Sequence, residues 1–279
     1  MKKTLCCASA VLAAIMFIVI WTSVLSSNNR QSDSSDGLIA WNEVREETAL
    51  PESQELTPTL PTDSGSLASD NNEDTVVEQP TELLQILSDA GKELTNITAS
   101  QLIVVAVEDS TVLVYAFEKD LAGQWSQCLE AVTGHIGKNG ITDKKEEGDL
   151  KTPSGLFSLP FAFGIKDDPG CTIEYRQISE DSYWIDDSAS AYYNQWVEGT
   201  ENQDWSSAEH LISYPNAYAY AVAIGYNVNP IVPGLGSAIF LHCGNKATAG
   251  CVSVSEETML WIFRWLKPEA TPQILIAQR

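Results

Sequence analysis

Two residues near the C-terminal end of this 279-residue chain carry groups suited to nucleophilic chemistry, His242 and Cys251. A cysteine attacks a carbonyl carbon as its thiolate, and an imidazole is the side chain best placed near neutral pH to take the thiol proton. Both sit in residues 237–254, SAIFLHCGNKATAGCVSV. The apolar run 238–241 predicts a buried strand that delivers His242 at its end. A polar, glycine-bearing loop, 244–249, follows. Gly250 and Cys251 then open a second short strand, 252–254, and a helix is expected from Ser255. Gly250 leaves the backbone beside the sulfur unobstructed, so that amide groups there suit a developing oxyanion. The N-terminus of the coming helix is expected near Cys251, where its dipole favours thiolate.

Other readings of the same residues stand beside this one. A cysteine is often only a small buried hydrophobe. Cys243 is a rival nucleophile, but it directly follows His242 on the predicted strand, so its side chain should point to the opposite face. His242, Cys243 and Cys251 as zinc ligands would need a fourth donor, and no paired metal spacing supplies one. No metal and no cofactor are expected.

The stretch Thr248-Ala249-Gly250-Cys251-Val252 resembles the signature of the L,D-transpeptidase catalytic domain (YkuD type), whose usual form is a His, a spacer, then Ser/Thr-His-Gly-Cys. Upstream, Gly137-Lys138-Asn139-Gly140, Glu147-Gly148-Asp149 and Thr152-Pro153-Ser154-Gly155-Leu156-Phe157 resemble the front of that domain. Tyr183-Trp184, Tyr193-Asn194 and Tyr226-Asn227 fit a divergent branch. The likeness covers roughly residues 101–277. The chain departs from the pattern at Ala249, where the family has a second His, in a shorter spacer from His242 to Cys251, and at Val252-Ser253, where Arg or Asn usually follows.

The resemblance implies a mainly β fold, an L,D-transpeptidase-like sandwich or barrel with a few short helices. It implies a peptidoglycan enzyme in which Cys251 attacks a tetrapeptide stem and His242 is the general base. The backbone at Gly250 and Cys251 would hold the oxyanion. A thioester acyl-enzyme would pass to the amine of a second stem, or to water in an L,D-carboxypeptidase. Substrate contacts would come from Lys151, Thr152, Tyr193 and Asn227. A degenerate wall-binding module without catalysis is the alternative outside enzymes.

The elements needed to hold these residues are legible along the chain. Residues 1–25 read as an uncleaved membrane anchor, with a cleaved signal peptide and a secreted domain as the alternative. Lys2 and Lys3 precede a run, 5–25, that carries no charge and is long enough to span a bilayer. Residues 26–79 read as an acidic, Ser- and Pro-bearing linker without apolar periodicity. Residues 80–279 form the domain. A helix is predicted over 80–94, with Leu83, Ile86, Leu87, Ala90 and Leu94 on one face. Strands are expected at 102–107 and 111–117, joined as a hairpin, and at 125–132, 218–224 and 273–277. The loop 134–155 is long enough to be functional. Aromatics between Phe161 and Trp205 suit either a cleft or ordinary packing.

A formal net charge of −22 argues against nucleic acid as a partner. Peptidoglycan stems outside the cell and the membrane beneath the anchor are the expected partners. In that oxidising exterior Cys128 and Cys171 are candidates for a disulfide.

Overall fold

The computed structural model describes residues 78–279. The expected anchor, 1–25, and the linker up to residue 77 lie outside these residues. Among the described residues no helix is long and apolar enough to cross a membrane. The folded part already includes Glu78 and Gln79, because the Trp125 amide donates to Gln79 Oε1 at 3.0 Å and Gln124 Nε2 donates to the Glu78 carbonyl at 2.8 Å.

The chain opens with α1 (Thr81–Asp89) and then builds β1 (Gln101–Glu108), β2 (Thr111–Lys119) and β3 (Trp125–Thr133). Short pieces follow: β4 (Ile141–Thr142), β5 (Thr152–Pro153), β6 (Gly155–Ser158), β7 (Ala162–Gly164) and β8 (Tyr175–Gln177). Next come β9 (Ser182–Ile185), β10 (Trp196–Glu198), β11 (Ala208–His210) and β12 (Ala221–Ala223). The last elements are β13 (Phe240–Cys243), β14 (Val252–Val254), α2 (Glu256–Trp265) and β15 (Gln273–Gln278).

Two five-stranded sheets carry the architecture, in the orders β3-β2-β1-β15-β6 and β14-β13-β12-β7-β8. Strand alternation explains the layers. On β1, Ile103, Val105 and Val107 face the core between the sheets, which also takes Leu241, Val252 and Val254 and the α2 residues Met259, Ile262 and Phe263. The opposite face, Leu102, Val104 and Ala106, is covered by Leu83, Ile86 and Leu87 of α1. A strand buried on both faces reads as the unbroken apolar run seen here. Fully burying each Val, Leu or Ile contributes about 1.5–3 kcal/mol. The outer face of the second sheet, with Phe163, Ala221, Phe240 and Cys251, is roofed by Trp184, Leu211 and Tyr218. The protein is therefore a mainly β, layered structure with two α-helices among the described residues, in accord with the sequence expectation.

Boundaries differ from the pattern reading for local reasons. The first helix stops at Asp89 rather than residue 94, because Ala90 caps it and Gly91 turns left-handed at φ 61°. Leu94 instead enters a short 3-10 turn. The strand expected over 238–241 is displaced to Phe240–Cys243, since Ala238 takes φ 52°, which no strand residue does. His242 therefore lies within its strand, not after it. The hairpin of β1 and β2 forms as read, with Glu108 opposite Thr111. Ser255 caps α2 by accepting from the Thr258 amide at 3.1 Å.

Within 134–155, Gly137 marks a crossing of the chain over itself. A Cβ there would lie 2.5 Å from the Leu150 carbonyl oxygen.

Candidate functional site

Parallel pairing of β13 with β14 sets the site. Leu241 lies opposite Val252 and His242 opposite Ser253. This register brings Cys251, immediately before β14, alongside Phe240. Its sulfur accepts from the Phe240 amide at 3.3 Å, and its thiol donates to the Ala238 carbonyl at 3.2 Å. Alternation along β13 sends Phe240 to the layer that holds Cys251, while Leu241 and Cys243 enter the central core. Cys243 Sγ donates to the Tyr220 carbonyl, and burial pushes its thiol up to about 11.

His242 and Cys251 line one cavity of about 610 Å³, with Glu209, Tyr214, Tyr218, Asn245, Lys246, Thr248 and Ala249 also on its walls. That volume lies in the range of pockets that take small organic ligands. Both residues are nearly buried, at 9% and 8% exposure. His242 Nδ1 lies 2.8 Å from its neighbour's carbonyl, Cys243 O. A carbonyl oxygen only accepts, so Nδ1 carries the proton and Nε2 keeps its lone pair. Burial holds the His242 pKa below the usual imidazole range, against the raising effect of the Cys243 carbonyl. Burial pushes the Cys251 thiol well up, and the Glu209 carboxylate adds to that; the Phe240 amide and Lys145 act the other way. The resting site thus holds a neutral thiol and a neutral imidazole.

The helix dipole does not reach the thiol as the sequence suggested. Three strand residues at about 3.3 Å each separate Cys251 from the start of α2. That end of the helix sits instead in a pocket with Cys243, Ser255 and Glu256.

Gly250 stands between supports. Its amide donates to Thr248 Oγ1 at 3.1 Å, and the same hydroxyl donates to the Cys251 carbonyl at 2.6 Å. Thr152 is fully buried; its hydroxyl donates to the Cys251 carbonyl at 3.2 Å and accepts from the Gly137 amide at 2.8 Å. This makes Thr152 a clamp behind the cysteine rather than a group open to a ligand. Tyr193, at 1% exposure, donates to Glu147 Oε2 at 2.5 Å and accepts from the Gly236 amide. Asn227 holds its own turn, through Val232 and Gly236. The Lys151 amide donates to Asp149 Oδ1. None of the four lines the cavity of Cys251 and His242. Thr152 and Tyr193 are buried with their hydroxyls engaged, while Lys151 and Asn227 are half-buried at the surface.

Three residues of the site escaped the sequence reading. Asn194 Oδ1 accepts from the Ala238 amide at 3.1 Å and from Trp184 Nε1 at 3.0 Å, while Nδ2 donates to the carbonyls of Tyr226 and Asn227. It fixes the left-handed Ala238 whose carbonyl meets the thiol. Tyr218 sets its ring edge-on to His242, with centroids 5.8 Å apart, and its hydroxyl donates to Glu209. The Tyr193-Asn194 pair and the strand expected at 218–224 touched two of them, though neither pointed to this site; Glu209 lay in a patternless stretch. The aromatics between Phe161 and Trp205 largely pack the outer layer, with Trp184 and Phe240 centroids 4.8 Å apart. His135 bridges to Ser253, and His210 is held by the Glu180 carbonyl and stacked on Tyr183. Cys128 and Cys171 are free thiols.

Fold and site together define a layered β protein that opens a buried cysteine and a neutral histidine onto one cleft. The family of the L,D-transpeptidase catalytic domain (YkuD) matches residues 100–275. The chain belongs to that family. Comparison with curated proteins and with solved structures returns no match.

Proposed function

We propose that the protein is a peptidoglycan L,D-transpeptidase working through a Cys251 thioester with His242 as general base. The observation that carries this is the shared cleft of Cys251 and a His242 whose protonated Nδ1 is engaged, leaving Nε2 as a base, in a chain of this family. The donor is a tetrapeptide stem. Its carbonyl displaces the thiol from the Ala238 carbonyl, and the proton passes from sulfur to Nε2. Sulfur then adds to the carbonyl carbon. The tetrahedral oxyanion collapses, the C–N bond breaks, and the imidazolium protonates the departing D-amino acid. The thioester passes to the amine of a second stem, or to water if the enzyme is a carboxypeptidase. The neutral resting pair means that proton transfer accompanies attack rather than preceding it. No cofactor takes part in this scheme. We also propose that residues 1–25 anchor the chain in the cell membrane with the domain outside, at the wall.

A second reading is a wall-binding module without catalysis. It is favoured by the depth of Cys251 and its raised pKa, and by Ala249 in place of the family's second His. The experiment that separates the two incubates the protein with tetrapeptide stems and follows free D-amino acid and cross-linked product by mass spectrometry. Release that disappears in Cys251→Ala supports the enzyme. Stem binding without release, equal in both proteins, supports the module.

A further inference from the structure

A carboxylate that the scheme above leaves unused shares the cleft. Glu209 stands on β11 and lines the same cavity as Cys251 and His242. Tyr218, 4% exposed and packed against Phe163 and Phe240, donates its hydroxyl to Glu209 Oε2. The same ring stands edge-on to His242. The carboxylate is therefore fixed relative to the imidazole through one rigid side chain. Its other oxygen, Oε1, has no hydrogen-bond partner among the described residues, and no lysine or arginine there forms an ion pair with it. Nearby charge is of the same sign: Asp186 and Glu147 both act on Glu209. Asp186 Oδ1 is itself buried without a partner. Among the described residues Glu209 is the only carboxylate on this cavity, Lys246 lines it without pairing to Glu209, and the open Oε1 suits a cationic ligand.

Resting on the acyl-transfer reading, we infer that Glu209 is the acceptor-side residue: it binds the incoming primary amine as its ammonium ion and takes one proton from it. The balance is as follows. The ammonium R–NH3⁺ gives a proton to the Glu209 carboxylate and becomes R–NH2. The nitrogen lone pair adds to the thioester carbonyl, and the tetrahedral intermediate forms. The C–S bond then breaks, the nitrogen loses its second proton to His242 Nε2, and that proton returns to the Cys251 sulfur. Glu209 releases its proton to solvent. The products are the amide and the free thiol. A water acceptor brings no positive charge and gains nothing from this carboxylate, so Glu209 favours transfer over hydrolysis.

The test measures how the acyl-enzyme divides between amide and hydrolysed product. Donors are tetrapeptide stems with lysine or diaminopimelate in third position. Acceptors are Nα-acetyl-lysine amide, a cation at neutral pH, and hydroxylamine, which is uncharged. Glu209→Gln should lower the amide-to-hydrolysis ratio for the lysine amine about 10²-fold, the scale of lost proton transfer. It should leave the ratio for hydroxylamine near the wild-type value. Circular dichroism of Glu209→Gln should match the wild type and its thermal unfolding should stay cooperative, which shows that the variant is folded. Glu209→Asp, which keeps the charge, should retain most of the lysine product. An unchanged lysine ratio in Glu209→Gln, or equal losses for both acceptors, overturns the assignment while leaving the acyl-transfer reading intact. A wild type that forms no acyl-enzyme with any donor overturns both.

Discussion

The Cys251 thiol donates to the carbonyl oxygen of Ala238, 3.2 Å away, and Ala238 holds that carbonyl in place from a left-handed backbone at φ 52°. A non-glycine residue in that region costs of order 1–2 kcal/mol. Asn194, itself at φ 56°, holds the Ala238 amide. The cysteine is thus aimed by one strained residue, Ala238, and by the buried side chain of Asn194, a residue type that tolerates the left-handed backbone it adopts. Such strain persists only where the surroundings over-determine it.

Asn194 should matter for stability as much as for chemistry. Asn194→Ala removes both acceptor bonds, from Ala238 and Trp184, and both donor bonds, to Tyr226 and Asn227. Leaving such groups unpaired in a buried setting costs about 1–3 kcal/mol apiece before relaxation. Urea unfolding should show a loss of at least about 2 kcal/mol. A loss within the scatter of surface substitutions would mean that the turn is held by something else.

The order of thiol modification should be the reverse of what a primed nucleophile would give. Cys251 is buried with its pKa pushed up, whereas Cys128 is exposed. A small alkylating reagent at neutral pH, without substrate, should label Cys128 before Cys251 in peptide mapping. Cys251 labelled first would show a thiolate already present at rest.

The contribution of Glu209 to stability should fall with rising pH through the range where it titrates. Burial raises its pKa from 4.5 to about 7, with Asp186 and Glu147 adding and the Tyr218 hydroxyl opposing. Below 4.5 the group is protonated in both folded and unfolded chains. Between 4.5 and about 7 the unfolded chain has lost the proton and the folded one keeps it, so the folded state is progressively disfavoured as pH rises. Glu209→Gln should remove this contribution. His242, with its lowered pKa, adds an opposite slope below 6.5, so the test is the difference between wild type and Glu209→Gln; a difference that does not fall over this interval contradicts the assignment.

His242 should act as a base below ordinary imidazole pH. Its pKa is lowered by burial, so the neutral form persists on going below pH 6.5. Acylation of Cys251 should hold its rate there, and His242→Gln should reduce it about 10²–10⁴-fold. An acid limb centred above 6.5 would indicate a different base.

Much of this was legible in the sequence, and the failures share a cause. The hairpin of β1 and β2, the strand β14 and the cap at Ser255 are local patterns, and local patterns survive folding. The displacement of β13 was invisible because it comes from Ala238, whose left-handed turn is imposed by Asn194 from a distant stretch. Thr152 and Tyr193 were named by resemblance alone, and only the packed structure shows that their hydroxyls bond Cys251, Glu147 and Gly236. Glu209 gave no signal, since a carboxylate in a short irregular strand looks like any surface acid until Tyr218 and the cavity are seen around it.

The central claim is that Cys251 forms the acyl-enzyme. The direct measurement is intact-mass spectrometry after exposure to a carbapenem-type β-lactam, whose strained carbonyl resembles the donor of this family. The wild type should gain the mass of one β-lactam, mapped to Cys251, with chelator making no difference, and Cys251→Ala should gain none. An adduct that maps to Cys243 or survives in Cys251→Ala, or a folded wild type that takes up no mass at all, would contradict it.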